Sequence, residues 1–377
     1  MNTIRPFRPY SMALCLFLCA APPLSAAQAP KHGKVLVVVS SEGRDQGKTR
    51  PGFEMDEFAQ AWAIFRDNGL AVDVASPAGG RVEADRYDAK EPFNARLEAD
   101  SEAMAKLAAT LRTDGLRAGD YDAVYVVGGK GAMFDLPADA ALRDLLARVY
   151  QGGGVVAAVC HGPAALVEVR LGDGRSLVEG RRLTGFSNEE ESVFGKKWAA
   201  QYRFQLEDAL RERGARWEEA PLMMPRTVVD GRLITGQNPY STPGVAEAIV
   251  RALGRTPVAR APWRDEATMA LVQRHLDGDA GAARDLAAGA ARFHPQLIGL
   301  LGYYQLQVAA GEPAIRDALR IMELAKPHMA EPQLEVGIAD AHWRLGDRAQ
   351  AERRLAAVLE SHPALEEAVA LRTRMTP

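Results

Sequence analysis

Four short, mostly apolar runs constrain the fold of this chain more than any other feature. They are Lys34–Ser40 (KVLVVVS), Ala71–Ser76, Tyr121–Val127 and Gly154–Cys160. A nearly unbroken apolar run of this length is typical of a strand inside a parallel sheet that is covered on both faces. Segments with the apolar spacing of helices separate these runs. The pattern therefore predicts an α/β domain built on a doubly wound parallel sheet with right-handed crossovers.

The segments around these strands predict the rest of this domain. Residues 53–68, 99–116, 138–151 and 243–253 have helical character, the second ending in a turn, and a further helix is expected to begin at His161. Residues 227–235 (TVVDGRLIT) predict a hairpin with Asp230-Gly231 as a type I′ turn. We place the domain at residues 31–254 and assign residues 255–264, which contain two prolines, to a linker.

Residues 265–377 differ in character, since they are rich in alanine and arginine and contain no strand pattern. Three glycines stand 33 and 35 residues apart, and each is followed by a proline 16 or 17 residues later (Gly278, Gly311 and Gly346 with Pro295, Pro327 and Pro363). A period near 34 residues is that of tetratricopeptide helix pairs. The pattern predicts an all-α repeat domain, and an unrelated alanine-rich helical bundle is the alternative.

The first 27 residues have the three parts of a secretory signal peptide. Arg5 and Arg8 precede a short apolar run at residues 12–21, and Ser25-Ala26-Ala27 offers a cleavage site. The run is short for a membrane span, although an uncleaved anchor is the alternative. We predict a periplasmic or secreted protein that leaves the membrane after cleavage. The net charge of −3 becomes −3 − 2 = −5, which disfavours a nucleic-acid partner.

The chain contains three cysteines, and only Cys160 lies outside the predicted signal peptide. A lone free thiol in an oxidising compartment suggests a chemical role, whereas a small buried apolar residue is the alternative. Cys160 ends an apolar strand, and His161-Gly162-Pro163 follows it, so we expect its side chain at the carboxyl edge of the sheet, where ligands bind. A helix that begins there is expected to lower the thiol pKa and to present N–H groups to an oxyanion.

Four ordered segments resemble the ThiJ/PfpI superfamily and its glyoxalase III branch. Residues 152–163 (GGGVVAAVCHGP) are similar to the family's nucleophile segment, and residues 52–69 to the segment that bears its glutamate, which falls on Glu57. Residues 128–137 (GGKGAMFDLP) are similar to its glycine loop, although Lys130 replaces the usual histidine. Residues 183–191 are similar to the segment whose acid orients the histidine, which falls on Glu191. The resemblance runs from about residue 34 to 254 and implies a flavodoxin-like sandwich of the class I glutamine amidotransferase type.

The resemblance also implies catalytic roles for these residues. Cys160 is expected to be the thiolate nucleophile, and His161 to move protons while Glu191 orients it. Glu57 is expected to face the sulfur, protonated because two acids do not both ionise readily in a dry pocket. Gly128, Gly129 and Lys130 are assigned to oxyanion or substrate binding, with the N–H groups of Gly129 and His161 as oxyanion donors. For Glu57 and for residues 189–191, a solvated helix surface is the alternative.

The implied activity is that of a glutathione-independent glyoxalase III, a lyase also described as lactate dehydratase, which converts methylglyoxal to lactate without a metal or organic cofactor. The expected substrate is a small reactive carbonyl compound, and the expected assembly is a homodimer. Two alternatives stay open. One is a stress-related holdase chaperone that binds proteins or peptides through its repeats. The other is a cysteine amidase or peptidase, although a glutaminase is disfavoured because the one other histidine of the α/β domain, His32, stands at its start and not downstream of Cys160.

Overall fold

The computed structural model describes Met1 and residues 33–376, so the predicted signal peptide lies outside the described residues except for Met1. The α/β part contains short strands and eight α-helices within that range. The strands are β1 (Lys34–Val38), β2 (Ala71–Ser76), β3 (Leu111–Arg112), β4 (Ala123–Val126), β5 (Val155–Val159), β6 (Arg182–Leu183), β7 (Arg216–Trp217), β8 (Thr227–Asp230) and β9 (Leu233–Gly236). The helices are α1 (Met55–Asp67), α2 (Pro92–Glu98), α3 (Ser101–Ala108), α4 (Ala140–Gln151), α5 (Asn188–Phe194), α6 (Lys196–Ala199), α7 (Leu206–Glu212) and α8 (Thr242–Ala252).

Seven of the strands form one sheet in the order β3-β2-β1-β4-β5-β9-β8. All neighbours in this sheet are parallel except β8 and β9, which form an antiparallel hairpin. The strands β6 and β7 make a separate parallel pair. The predicted α/β class with a doubly wound, mainly parallel sheet is therefore confirmed.

The apolar runs become central strands because both faces of the sheet are covered. All four residues of β4 and all five of β5 are buried. On one face, α1 packs Phe65 edge-on against Tyr125 of β4, with ring centroids 5.8 Å apart. Complete burial of one such aromatic side chain contributes about 1.5–3 kcal/mol to the free energy of unfolding. Packing therefore holds β1, β4 and β5 in place, and these strands carry the loops of the candidate site.

Three local predictions need correction. The two-residue edge strand β3 was not expected within residues 99–116. In the hairpin, Asp230 pairs with Leu233, so Gly231 and Arg232 are the central turn residues. Of these two, Gly231 alone has a positive φ, of 60°, which fits a type II′ turn rather than type I′. The chain after His161 forms a 3₁₀ helix at Gly162–Leu166 instead of an α-helix.

The remainder of the described chain is helical. It contains α9 (Arg264–Leu276), α10 (Gly281–Ala288), α11 (Pro295–Val308), α12 (Glu312–Ala325), α13 (Pro332–Arg344), α14 (Arg348–Ser361) and α15 (Glu366–Met375). Gly278, Gly311 and Gly346 adopt left-handed φ angles of 89°, 95° and 85° in the turns within successive helix pairs. A side chain is strained in that conformation, which explains glycine at the repeating position. The all-helical C-terminal region is confirmed, and its assignment to tetratricopeptide repeats stays a prediction.

The segment between α8 and α9 lies against the α/β part. Arg255 donates from Nη1 to the Asn68 carbonyl at 2.7 Å, and the Val258 N–H donates to the Asn68 side chain at 2.8 Å. Arg260 pairs with Glu247 of α8 and Glu266 of α9. Hydrogen bonds and ion pairs thus hold both ends of the predicted linker. The domain limits stay predictions. In residues 33–376 no helix combines the length and apolar character needed to cross a membrane.

Candidate active site

Cys160 stands directly after β5, at the carboxyl edge of the sheet, with a left-handed φ of 58°. This conformation is strained for a residue with a side chain and persists where the surroundings hold it. Its N–H donates to the Gly236 carbonyl at 2.9 Å, and its carbonyl accepts from the Phe186 N–H at 2.8 Å. The sharp turn resembles a nucleophile elbow and leaves the side chain only 4% exposed.

His161 links Cys160 to Glu191. Its Nδ1 lies 3.5 Å from the Cys160 sulfur, and its Nε2 lies 2.8 Å from Oε2 of Glu191. All three side chains are buried, and the His161 ring packs on Phe186 with centroids 4.4 Å apart. Glu191 lies in the first turn of α5, which is capped by Ser187. The structure thus brings the predicted Cys160, His161 and Glu191 into one hydrogen-bonded series.

The predicted Glu57 reaches the same place from α1. Its Oε2 accepts a hydrogen bond from the Gly128 N–H at 2.6 Å, and its carboxyl group faces the Cys160 thiol. Complete burial, reinforced by the nearby Glu54 carboxylate, raises the pKa of Glu57 well above its usual range. A carboxyl group in this environment holds its proton at neutral pH and can donate it to a sulfur anion or an alkoxide.

The predicted lowering of the Cys160 pKa by a helix N-terminus is wrong. Gly162–Leu166 is a single 3₁₀ segment of five residues, too short for a strong dipole. Burial raises the pKa of the thiol well above its usual value, and negative charge on Glu57 would raise it further, while a hydrogen bond from the Gly129 N–H lowers it. The thiol therefore holds its proton more strongly than a free cysteine does, and Nδ1 of His161 lies 3.5 Å from the sulfur.

The glycine loop after β4 serves the site through its backbone. Gly129 has a φ of 88° and directs its N–H toward the Cys160 sulfur. The Gly128 N–H donates to Glu57, and the assignment of Gly128 to oxyanion or substrate binding stays a prediction. Lys130 begins the following 3₁₀ segment and lines the cavity beside the thiol. The N–H groups of Gly129 and His161 stay the predicted oxyanion donors.

We expect Gly128→Ala to lower the free energy of unfolding by about 2–3 kcal/mol and to reduce activity at least tenfold. A Cβ at this position would lie 2.7 Å from the Cys160 Cβ and 2.8 Å from the His161 backbone nitrogen. Neither neighbour can yield without moving the elbow. Urea unfolding measures the loss, with Gly119→Ala as the control because a Cβ there meets nothing within 4 Å. Equal stability of both variants would contradict this close packing.

A cavity of about 210 Å³ opens over the thiol. The predicted Gly129, Lys130, Cys160 and His161 line it together with residues that sequence reasoning missed. These are Glu54, Asp85, Phe186, Glu190, Phe194, Met223, Asn238, Pro239 and Tyr240. Glu54 and Glu190 were detectable in principle, since each is a close sequence neighbour of a predicted acid. Phe186 lies within the segment 183–191 and Phe194 ends α5, but an apolar side chain there gives no chemical signal. The rest lie outside the quoted segments and enter the site only through the tertiary fold.

Glu54 is the most unusual of these additional acids. Burial and the neighbouring Asp56 and Asp85 raise its pKa to about 8, against an opposing effect of Lys130. The charge of Lys130 also opposes the rise in the pKa of Asp85, which lines the same cavity. The cavity thus combines a lysine with a carboxyl group, that of Glu54, that is mostly neutral at pH 7.

The charge on Glu54 predicts a pH effect on catalysis. Below about pH 8 the group is neutral, and above it the carboxylate raises the pKa of Cys160 by repulsion. Activity that needs the thiolate should therefore rise less steeply with pH above about 8 in the wild type than it would beside an uncharged group. In Glu54→Gln we expect a steeper rise, with kcat/KM at pH 9 several-fold above the wild-type value. Superimposable pH profiles of kcat/KM from pH 6 to 9.5 would contradict the assignment.

In the described residues no group of three histidine, cysteine or acidic side chains could hold a metal ion. The geometry instead places a thiol between a histidine nitrogen at 3.5 Å and a buried carboxyl group whose pKa is raised. A doubly wound sheet with such a cysteine elbow at its carboxyl edge defines a class of α/β proteins with a candidate thiol nucleophile.

Comparison with known proteins identifies the family within that class. The model of the DJ-1/PfpI family matches residues 49–252, more than half of the chain, and the chain belongs to this family. A glutathione-independent glyoxalase of Schizosaccharomyces pombe is 33% identical over 245 residues, which cover 58% of this chain and 96% of that protein. A glutathione-independent glyoxalase of Saccharomyces cerevisiae is 33% identical over 241 residues, or 60% and 99% of the two chains.

The chain is also similar to a solved structure. The crystal structure of glyoxalase III from Candida albicans is similar to this chain with a TM-score of 0.53 and 28% sequence identity. The similarity covers 58% of this chain and 96% of the fungal one. The relatives support an enzyme of the DJ-1/PfpI family, and the predicted family is confirmed. The C-terminal helical region is an addition to that domain.

Proposed function

We propose that this protein is a glutathione-independent glyoxalase of the glyoxalase III type, which converts methylglyoxal or a related 2-oxoaldehyde to the 2-hydroxy acid. The observation that carries the proposal is the placement of the Cys160 thiol between His161 at 3.5 Å and the carboxyl group of Glu57. The cavity of about 210 Å³ suits a small substrate. Relatives with this activity in their names support the same reaction.

The first step forms a carbon–sulfur bond. Nδ1 of His161 takes the thiol proton, and Glu191 stabilises the resulting imidazolium through the 2.8 Å contact at Nε2. The thiolate then attacks the aldehyde carbon, C1, and the carbonyl π pair moves to oxygen. Glu57 gives its proton to this alkoxide, which yields a neutral hemithioacetal and leaves Glu57 as a carboxylate.

The second step moves hydrogen from C1 to C2. The Glu57 carboxylate removes the C1 proton while His161 protonates the C2 oxygen, and an enediol results. Glu57 returns its proton to C2 and His161 accepts the proton of the C1 hydroxyl, so C1 becomes a thioester. Water then cleaves the carbon–sulfur bond, which releases lactate and restores the thiol. Glu57 and His161 thus receive the protons that leave the substrate and supply those that it gains.

Lys130 has a role in this scheme as well. Its ammonium group lines the cavity, and the alkoxide of the first step places negative charge on a substrate oxygen. A cation in a site sheltered from water stabilises such charge more than it stabilises the neutral ground state. We therefore assign Lys130 to charge stabilisation, in the place where the family commonly has histidine.

The test is the formation of lactate from methylglyoxal by the purified protein without glutathione. We expect lactate in proportion to methylglyoxal consumed, at a rate linear in enzyme. Consumption without lactate would indicate simple thiol modification and would contradict the proposal. Hydrolysis of small amides without lactate would favour the cysteine amidase alternative, which uses the same Cys160–His161 pair.

A second candidate function is peptide binding by the helical region. A groove of about 380 Å³ between α11, α13 and α15 is lined by Leu300, which is 47% exposed, and by Tyr303, Met329 and Leu334. An exposed apolar groove of this kind favours a protein or peptide partner.

We further propose that the signal peptide directs the protein to the periplasm, or secretes it, and that the α/β part forms a homodimer. Both follow from the sequence and the family.

A further inference from the structure

Three side chains of the catalytic cavity also contact the helical region. Phe194, Met223 and Tyr240 line the cavity over the thiol. Met223 belongs to the same buried apolar cluster as Met269 and Leu301 of the helical region, and Phe194 and Tyr240 pack against that cluster. One wall of the cavity is therefore also part of the contact between the two regions of the chain.

The contact between Phe194 and α11 is a direct aromatic one. The ring of Phe194 meets the ring of Tyr304 at a centroid distance of 5.1 Å and an angle of 75°. Edge-to-face pairs of this kind are favourable beyond the area that they bury. Movement of Tyr304 would thus leave one face of a cavity side chain without support.

The second contact is a polar clamp on one peptide group. Gln305 donates from Nε2 to the Leu222 carbonyl at 2.9 Å, and this bond is buried. The N–H of the same peptide group, on Met223, donates to Oε1 of Glu190 at 3.1 Å. Glu190 precedes Glu191, which orients His161. The helical region therefore holds the carbonyl of this peptide group, and α5 holds its N–H.

The clamped peptide needs such support because the residue after it is strained. Met223 has a φ of 65°, a left-handed conformation that is unfavourable for a residue with a long side chain. Without Gln305 the buried Leu222 carbonyl would lack a hydrogen-bond partner. The turn would then be free to leave its strained conformation. Relaxation would move the Met223 side chain away from its place in the cavity wall.

We propose that Tyr304 and Gln305 are positioning residues of the active site, which hold the Phe194–Met223 wall of the cavity from the helical region. The helical region is then a structural part of the catalytic site rather than an independent module attached to it. Access of reagents to Cys160 then depends on how α11 packs against this wall. This inference does not rest on the identity of the substrate.

The test compares Gln305→Leu with Gln307→Leu in the full chain. Gln307 is an exposed residue of the same helix and receives the same substitution. The probe is N-ethylmaleimide, and mass spectrometry of the Cys160 peptide measures its modification rate. We expect about a tenfold faster modification of Cys160 in Gln305→Leu only. Where the protein turns over methylglyoxal, KM should rise about tenfold with a smaller change in kcat.

A rate within twofold of wild type, or a slower one, in folded Gln305→Leu would overturn the proposal. Circular dichroism and thermal unfolding establish that each variant is folded. If Gln305→Leu does not fold, Tyr304→Leu decides, because it removes the ring contact with Phe194 and leaves the Leu222 clamp intact. Unchanged Cys160 modification in that variant would overturn the proposal equally, whether or not the protein is a glyoxalase.

Discussion

Cys160→Ala should abolish lactate formation from methylglyoxal, with kcat/KM lower by at least about 10³-fold. The proposed reaction begins with a carbon–sulfur bond, and alanine offers no atom that can form it. The substitution keeps the Cβ and removes a single buried sulfur, so the elbow with its φ of 58° should persist. The measurement is the initial rate of lactate formation at several methylglyoxal concentrations.

Ser192→Ala is the matched control for this variant. Ser192 lies on α5 beside Glu191 but is exposed, so its hydroxyl has no route to the cavity. We expect Ser192→Ala to keep activity within twofold of wild type, and both variants to keep an unfolding temperature similar to that of the wild type. Lactate formation by Cys160→Ala at more than a tenth of the wild-type rate would contradict the thiol mechanism. Lactate would then form without a carbon–sulfur bond to Cys160.

The sheet could be predicted from the sequence because burial on both faces requires apolar residues at every position. The predicted second strand coincides with β2 at Ala71–Ser76, and the buried β4 and β5 lie within their predicted runs. The edge strand β3 has two exposed residues and therefore carries no apolar signal. The hairpin turn was misassigned because Asp-Gly suits several turn geometries, and only the pairing of Asp230 with Leu233 selects one.

The hydrogen-bonding partners of the thiol could be predicted only through family resemblance. Glu57 and Glu191 lie 103 and 31 residues from Cys160 in sequence, and no local pattern relates them. The choice of Glu191 over Glu189 and Glu190 rested on motif register, and the structure places Glu191 at 2.8 Å from His161. Glu190 instead caps α5 and accepts from Asn238 and Met223. Helix periodicity explains this division, since neighbouring residues point about 100° apart.

The pKa of the thiol was mispredicted because it depends on burial, which a sequence does not display. A cysteine at a strand-to-helix junction suggested an activated thiolate, whereas the surrounding loops leave Cys160 only 4% exposed. Burial disfavours the anion more strongly than a five-residue 3₁₀ segment can favour it. The thiolate therefore forms when His161 accepts the proton, and the acids nearby must stay neutral for it to persist. This explains why the raised pKa of Glu57 matters to the cysteine as much as to proton transfer.

Glu57→Gln should lower kcat for lactate formation by about 10²–10⁴-fold with little change in KM. Glutamine can still accept the hydrogen bond from the Gly128 N–H, which Oε2 of Glu57 accepts at 2.6 Å, and can still direct N–H toward the sulfur. It cannot take the proton from C1 or return it to C2. Chemistry is therefore lost while the shape of the site is kept, and modification of Cys160 by N-ethylmaleimide should continue at a similar rate.

The stability of this variant provides an independent check of the proton on Glu57. A carboxyl group whose pKa is raised on folding stabilises the protein below its unfolded value near 4.5, and this contribution is lost as pH rises toward the folded value. Glutamine does not titrate, so Glu57→Gln should gain stability relative to wild type as pH rises above about 4.5. If Glu57→Gln keeps its kcat, His161 alone carries the proton transfers. If kcat is lost but the stability of the variant and of the wild type changes in the same way with pH, Glu57 acts as a carboxylate from the start.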